Sequence, residues 1–147
     1  MGDNGWVGRS LRTAAWAPIL VVMAYALAIV ALGPHPPHWL DSIAHAAGGV
    51  AMTYFAFTAL GHLQESVGRT PRIMRLVAAV GLTAVVAIAW ELLEFLVDLT
   101  ASTRLAPSVE DSLLDLALGL VGAVVFALAM ATQGEKDDVS AGQNRHL

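Results

Sequence analysis

Three groups of ionisable residues stand at helical spacing inside stretches that are otherwise apolar. Asp41 and His45 are four positions apart, as are Asp111 and Asp115, and Glu91, Glu94 and Asp98 follow one another at i, i+3 and i+7. On a helix each group projects from one side. Carboxylates and an imidazole carried inward on adjacent helices are the donor set of metal sites in four-helix bundles. Oxygen-rich ligation with one imidazole suits Mn²⁺, Fe²⁺ or Zn²⁺, and Mg²⁺ or Ca²⁺ if the histidine stands apart. The expected ligands of a divalent cation (Zn, Mn, Fe or Mg) are therefore His45, Glu91, Glu94 and Asp115. Asp98 and Asp111 are the candidate catalytic carboxylates, left outside the ligand set to act as general base. Asp41 and Arg104 complete the polar site. The Glu-x-x-His motif of di-iron bundles is absent and only His45 lies within an apolar run, which argues against a di-iron site or a bis-histidine haem.

Several of these residues also have structural readings. Asp41 is a candidate N-cap, and Ser108-Val109-Glu110-Asp111 resembles a capping box with Asp in the place of Glu. Glu110 reads as a solvated loop charge, His35, His38 and His62 as interfacial histidines, and Trp90 as packing; Tyr25 and Tyr54 have no evident partner. Capping does not account for His45, Glu91, Glu94, Asp98 or Asp115. The three acids from Glu91 to Asp98 sit at a helix C-terminus, where the macrodipole disfavours negative charge. An ionisable side chain near the bilayer centre costs about 2.5–3.5 kcal/mol on insertion scales, so something must offset it. Protonation, Arg104, charged His45 or a bound cation would do so.

The elements that position these residues are set by four apolar runs. Ala14 to Leu32 carries no charge; Ile43 to Leu60 holds only His45; Leu76 to Val97 holds only Glu91 and Glu94; Ser112 to Ala131 holds only Asp115. Runs of about 20 apolar residues match the ~30 Å hydrocarbon core, and only helices or closed barrels span lipid. The expectation is an all-α, four-transmembrane-helix bundle with short loops. Its domain, 14–132, has helices at about 14–32, 41–61, 71–98 and 109–132, between a polar N-tail (1–13) and a polar C-tail (133–147). Arg9 and Arg12 before the first run resemble a signal peptide, but that run exceeds the ~7–15 residues of an h-region, so a retained helix is expected. Thr70-Pro71 reads as an N-cap followed by proline at N1.

Orientation follows from the eight Lys and Arg residues. Seven of them, Arg9, Arg12, Arg69, Arg72, Arg75, Lys136 and Arg145, fall on one side, and Arg104 alone on the other. The positive-inside rule makes that side cytoplasmic, giving an N-in/C-in membrane protein. The acids and His45 then share the extracytoplasmic side. Small residues continue the polar faces, at Gly48 and Gly49, at Gly81, Ala84 and Ala87, and at Gly119 and Gly122, and such residues mark close helix contacts in lipid.

Of the 147 residues 56% are hydrophobic and 14% charged, too few charges to solvate a globular surface. Cysteine is absent, which excludes disulfides, thiolate nucleophiles, Fe–S clusters and cysteine zinc sites. The net charge of −4 comes with no basic patch, so nucleic-acid binding has no support. Gly-x-Ser-x-Gly and His-Glu-x-x-His are both missing, removing the common serine-hydrolase and zinc-protease signatures.

Asp41-Ser-Ile-Ala-His45 opening one helix, Trp90-Glu91-Leu-Leu-Glu94 ending the next and Asp111-x3-Asp115-x6-Gly122 opening the last resemble the VanZ-like and YjdF-like small bacterial membrane proteins. The likeness runs from about Asp41 to Ala131. VanZ-like sequences tend to carry Gln where Glu94 stands and Asn where Gly119 stands, so Glu94 fits the YjdF-like side. The VanZ branch is associated with glycopeptide resistance. The resemblance implies the fold, the place of the site and a multi-pass protein of the bacterial inner membrane, and no particular reaction.

Three functions compete. The first is a metal-dependent enzyme acting on a lipid or cell-envelope precursor. The second is a proton or cation transport component, against which stands the lack of ionisable groups in the inner half of every span. The third is an accessory or structural subunit of a membrane complex. Expected partners are membrane lipids and a membrane protein or a second copy of the chain.

Overall fold

The computed structural model of the chain describes residues 5–33, 37–101 and 108–143. These residues form five helices and no strand: α1 Trp6–Ala14, α2 Trp16–Leu32, α3 His38–Val67, α4 Arg72–Ala101 and α5 Val109–Gln143. Three of them, α3, α4 and α5, are long and apolar enough to cross a membrane. A fourth span is complete if α1 and α2, bent by 45° at their junction, count as one.

The bend has a local cause. Pro18 has no N–H to give the carbonyl of Ala14, so the ladder is interrupted where α1 meets α2. The surviving bonds, Ala15 N–H to Leu11 O and Ile19 N–H to Ala15 O, are both long at 3.3 Å. The stretch 1–13, expected as a polar tail, is therefore helical from Trp6. Ser10 and Ala14, one turn apart, are buried, and α1 packs along α3. A one-sided pattern this short is too weakly apolar to register as a span, which is why the hydrophobic runs did not reveal it. At the other end α5 continues beyond 132 to Gln143.

Helix termini follow the local chemistry. Gly33 (φ 91°) and Gly68 (φ 102°) end α2 and α3 in a backbone region open to glycine, and their N–H groups donate to Ile29 O and Gln64 O. Ser108 Oγ accepts the Asp111 N–H at 3.1 Å and so caps α5, as its capping-box pattern suggests. Asp41 is not an N-cap: α3 begins at His38, with Pro37 at the cap, which leaves the Asp41 carboxylate in the first turn. Thr70 does not cap α4 either: the helix begins at Arg72, and the Thr70 hydroxyl accepts from the Gln64 side chain.

α3 is the axis of the fold. It contacts each of the other four helices, most extensively α5, whereas α2 touches only α3 and α1. The α3–α5 contact is backbone against backbone. A Cβ on Gly49 would lie 1.9 Å from Gly119 O, and one on Gly122 would lie 2.0 Å from Ala46 O. Alanines dominate the buried core, with Ala51, Ala56, Ala79 and Ala123 inside, while residues such as Val30 and Leu128 point outward. With lipid as solvent, large apolar side chains gain nothing by turning inward, and association relies on close packing of small ones. Gly81 departs from the expected stripe, for it is exposed and a Cβ there would meet nothing within 4 Å.

Candidate metal centre

The chain connectivity carries the start of α3, the end of α4 and the start of α5 to one end of the bundle. The close α3–α5 crossing then fixes their register. His45 stands one turn before Gly49 and Asp115 one turn before Gly119, so the Gly49–Gly119 contact seats the imidazole against the Asp115 carboxylate.

His45 lies at the centre of a ring of acids. One ring nitrogen, Nε2, is 3.7 Å from Asp41 Oδ1 and 3.8 Å from Asp115 Oδ2; the other, Nδ1, is 3.9 Å from Glu91 Oε1. These separations exceed hydrogen-bond length and are a few tenths of an ångström wider than the ~3.3–3.6 Å between tetrahedral ligands at bonds of about 2.0–2.2 Å. Two sets of donor atoms each lie within 4.8 Å of one another: Asp41, His45 and Asp115, and His45, Glu91 and Glu94. The imidazole thus divides the acids into two groups, one on each of its edges.

Burial separates the acids further. Glu91 is 8% exposed and Asp115 4%, and among the described residues Glu91 Oε2 is buried without a hydrogen-bond partner. Asp41 and Glu94 are already engaged. The Tyr25 hydroxyl, from α2, donates to Asp41 Oδ1 at 2.6 Å, and Trp90 Nε1–H donates to Glu94 Oε1 at 2.7 Å. Each leaves its carboxylate a second oxygen to offer.

Five sequence-selected residues therefore meet: Asp41, His45, Glu91, Glu94 and Asp115. Asp98 and Asp111 belong to neither set of donor atoms. Asp98 lies one turn beyond Glu94 on α4, partly exposed, and Asp111 occupies the capped first turn of α5. Arg104 falls outside the described residues. Tyr25 and Trp90 join the cluster, two residues that the spacing of the ionisable groups does not select. Trp90 could have been found, since it stands at i, i+4 to Glu94; Tyr25 could not, because its partner is on another helix.

Beneath the cluster a cleft of about 170 Å³ opens between α2 and α4, floored by α3. Asp41, His45 and Glu94 form its polar end, and Val22, Met52 and Val86 are among its apolar walls. Below it the buried Thr53 and Thr83 hydroxyls lie 2.9 Å apart; one donates to the other, whose own proton goes to a carbonyl of its helix, Gly49 O for Thr53 or Ala79 O for Thr83. The far end of the bundle is basic. Arg9 pairs with Glu65 at 2.7 Å, Ser10 Oγ and His62 Nδ1 lie 3.0 Å apart, Arg72 donates to Met130 O, and the Arg75 guanidinium stacks 3.8 Å over the Phe57 ring.

No curated protein and no solved structure matches the chain. One family does, over residues 6–136, from the first turn of α1 into the last third of α5. That family is described as "Predicted membrane protein (DUF2238)", in keeping with the apolar helices and outward-facing valines and leucines. The chain is an integral membrane protein belonging to the DUF2238 family.

Proposed function

We propose that the protein holds a divalent cation at the end of a four-span bundle, on His45, Glu91 and Glu94, and presents it to a lipid or cell-envelope precursor. The buried, unpartnered Glu91 Oε2 carries this reading. A carboxylate oxygen in so dry a place needs a proton donor or a cation, and the histidine and Glu94 beside it supply the remaining ligands. The opposite edge of the imidazole would then donate its N–H toward Asp115 and Asp41, the carboxylate–histidine–metal arrangement that fixes a ligand's orientation. Zn, Mn, Fe and Mg all accept such donors. An ion held by only three protein ligands keeps positions open for an oxygen of a bound molecule. Asp98 and Asp111 are the carboxylates available as general base outside the ligand set if that molecule is hydrolysed.

The location rests on charge distribution. Seven of eight Lys and Arg residues lie on the side opposite the acids, which supports an N-in/C-in orientation with the site at the extracytoplasmic leaflet of a bacterial inner membrane. The resemblance to VanZ-like and YjdF-like proteins supports an envelope-facing role. A transport component is less well supported, because no acid or base stands between the His45 layer and the His62 layer in α3, α4 or α5.

Elemental analysis of the detergent-purified chain beside Glu91→Gln/Glu94→Gln tests the proposal. Stoichiometric metal in the wild type and its loss in the double variant are expected. A metal-free wild type that also takes up no Mn²⁺, Zn²⁺ or Mg²⁺ on titration would refute it.

A further inference from the structure

The cleft under the cation cluster reaches Met52 and Val86. The same two side chains border a second hollow of about 430 Å³ between α1, α3 and α4, whose walls include Phe55, Ala59, Leu60 and Leu63. Because they share these side chains and follow one face of α3, the two are taken together as one groove. From His45 to Leu63 it covers 18 residues, or roughly 27 Å at 1.5 Å per residue. That is most of the ~30 Å hydrocarbon core. A lipid chain from one leaflet reaches about half of that core, so the groove outruns an ordinary acyl chain.

The groove is also accessible from the side. α2 makes no close contact with α4 or α5, so between α2 and α4 it opens at the depth of the lipid tails. A molecule entering there would meet apolar walls along its length and carboxylates and an imidazole at one end only. We propose that the groove is the binding site of a long single-chain lipid phosphate of the polyprenyl class, its chain lying along α3 and its phosphate at the His45 cluster. The phosphate end rests on the cation reading, since four unscreened carboxylates would repel it. A hard cation held by one or two carboxylates characteristically takes phosphate oxygens in its remaining positions. The chain end rests on the groove alone.

Gly48 offers a way to block the groove while sparing the ligands. It borders the cleft, and a Cβ there would meet nothing within 4 Å. Native mass spectrometry of the full chain in detergent with Mn²⁺ would compare a long polyprenyl phosphate with farnesyl phosphate, which shares the head and has a much shorter chain. Metal content is read on the same samples. The wild type should favour the long chain by at least about tenfold. Gly48→Leu should lose about tenfold in affinity for it at unchanged metal content. Ala59→Phe, which blocks only the lower half, should bring the two ligands to near-equal binding. Equal affinity for both chains in the wild type would overturn the long-chain assignment. Wild-type binding by both variants would overturn the groove itself. If the long chain binds equally well with and without Mn²⁺, the groove stands and the cation reading fails.

Discussion

Two adjacent glycines should respond to the same substitution in opposite ways. Gly49→Ala places a methyl 1.9 Å from Gly119 O and 2.8 Å from Gly119 C, both backbone atoms that no rotamer change can move. Restoring an ordinary contact of 3.4 Å requires α3 and α5 to part by about 1.5 Å at this crossing. Gly48→Ala places its methyl in open space. Both changes carry the same helix-propensity gain, which cancels between them. What remains is the overpacking term, about 1–3 kcal/mol against Gly49→Ala. The parting also reaches the site, because His45 and Asp115 each stand one turn before the contact pair. Their 3.8 Å separation would grow to about 5 Å, outside the 4.8 Å within which the Asp41, His45 and Asp115 donors now lie. Losing such a supporting carboxylate typically costs about 10–100-fold in metal affinity. The assay is a thermal or denaturant melt of both variants in one detergent, with bound metal measured on each. If Gly49→Ala matches Gly48→Ala in stability, the backbone crossing described here is wrong. If it is destabilised yet binds metal like the wild type, Asp115 does not support the histidine.

Other perturbations probe the remaining contacts. Tyr25→Phe removes the 2.6 Å bond to Asp41 that ties α2 to the cluster; bonds to a charged acceptor contribute about 1.5–3 kcal/mol, so unfolding should shift by that order, and no shift would mean that α2 is held otherwise. Trp90→Phe keeps an aromatic ring, though a smaller one, and strips the N–H from Glu94, and metal affinity should fall by about 10–100-fold with little change in melting. Thr53→Val breaks the Thr53–Thr83 bond at the centre of the bundle. Interhelical bonds in lipid average about 0.6 kcal/mol, so a loss much above 2 kcal/mol would reveal an additional role for that pair. Ser10→Ala detaches α1 from His62 and should raise protease cleavage near Trp6, leaving metal content intact.

The apolar runs alone determined that this chain lives in lipid and is helical there. Hydrocarbon thickness dictates span length, and an unsatisfied backbone in lipid permits little else. Charge placement supplied the expected orientation, and i, i+3 and i, i+4 spacing inside apolar runs picked out Asp41, His45, Glu91, Glu94 and Asp115. Helical periodicity puts residues on a common face wherever the helix lies, so this much is local information. Tertiary structure decided which faces meet. It moved Asp41 from a candidate cap to a partner of Tyr25, split the acids between the two edges of one imidazole, and left Gly81 facing outward while Gly49 and Gly119 touch. It also turned an apparent tail into α1, docked on α3 through Ser10. Contacts between helices depend on crossing angle and rotation, which arise from the packing of side chains far apart in the chain, and no local spacing encodes them.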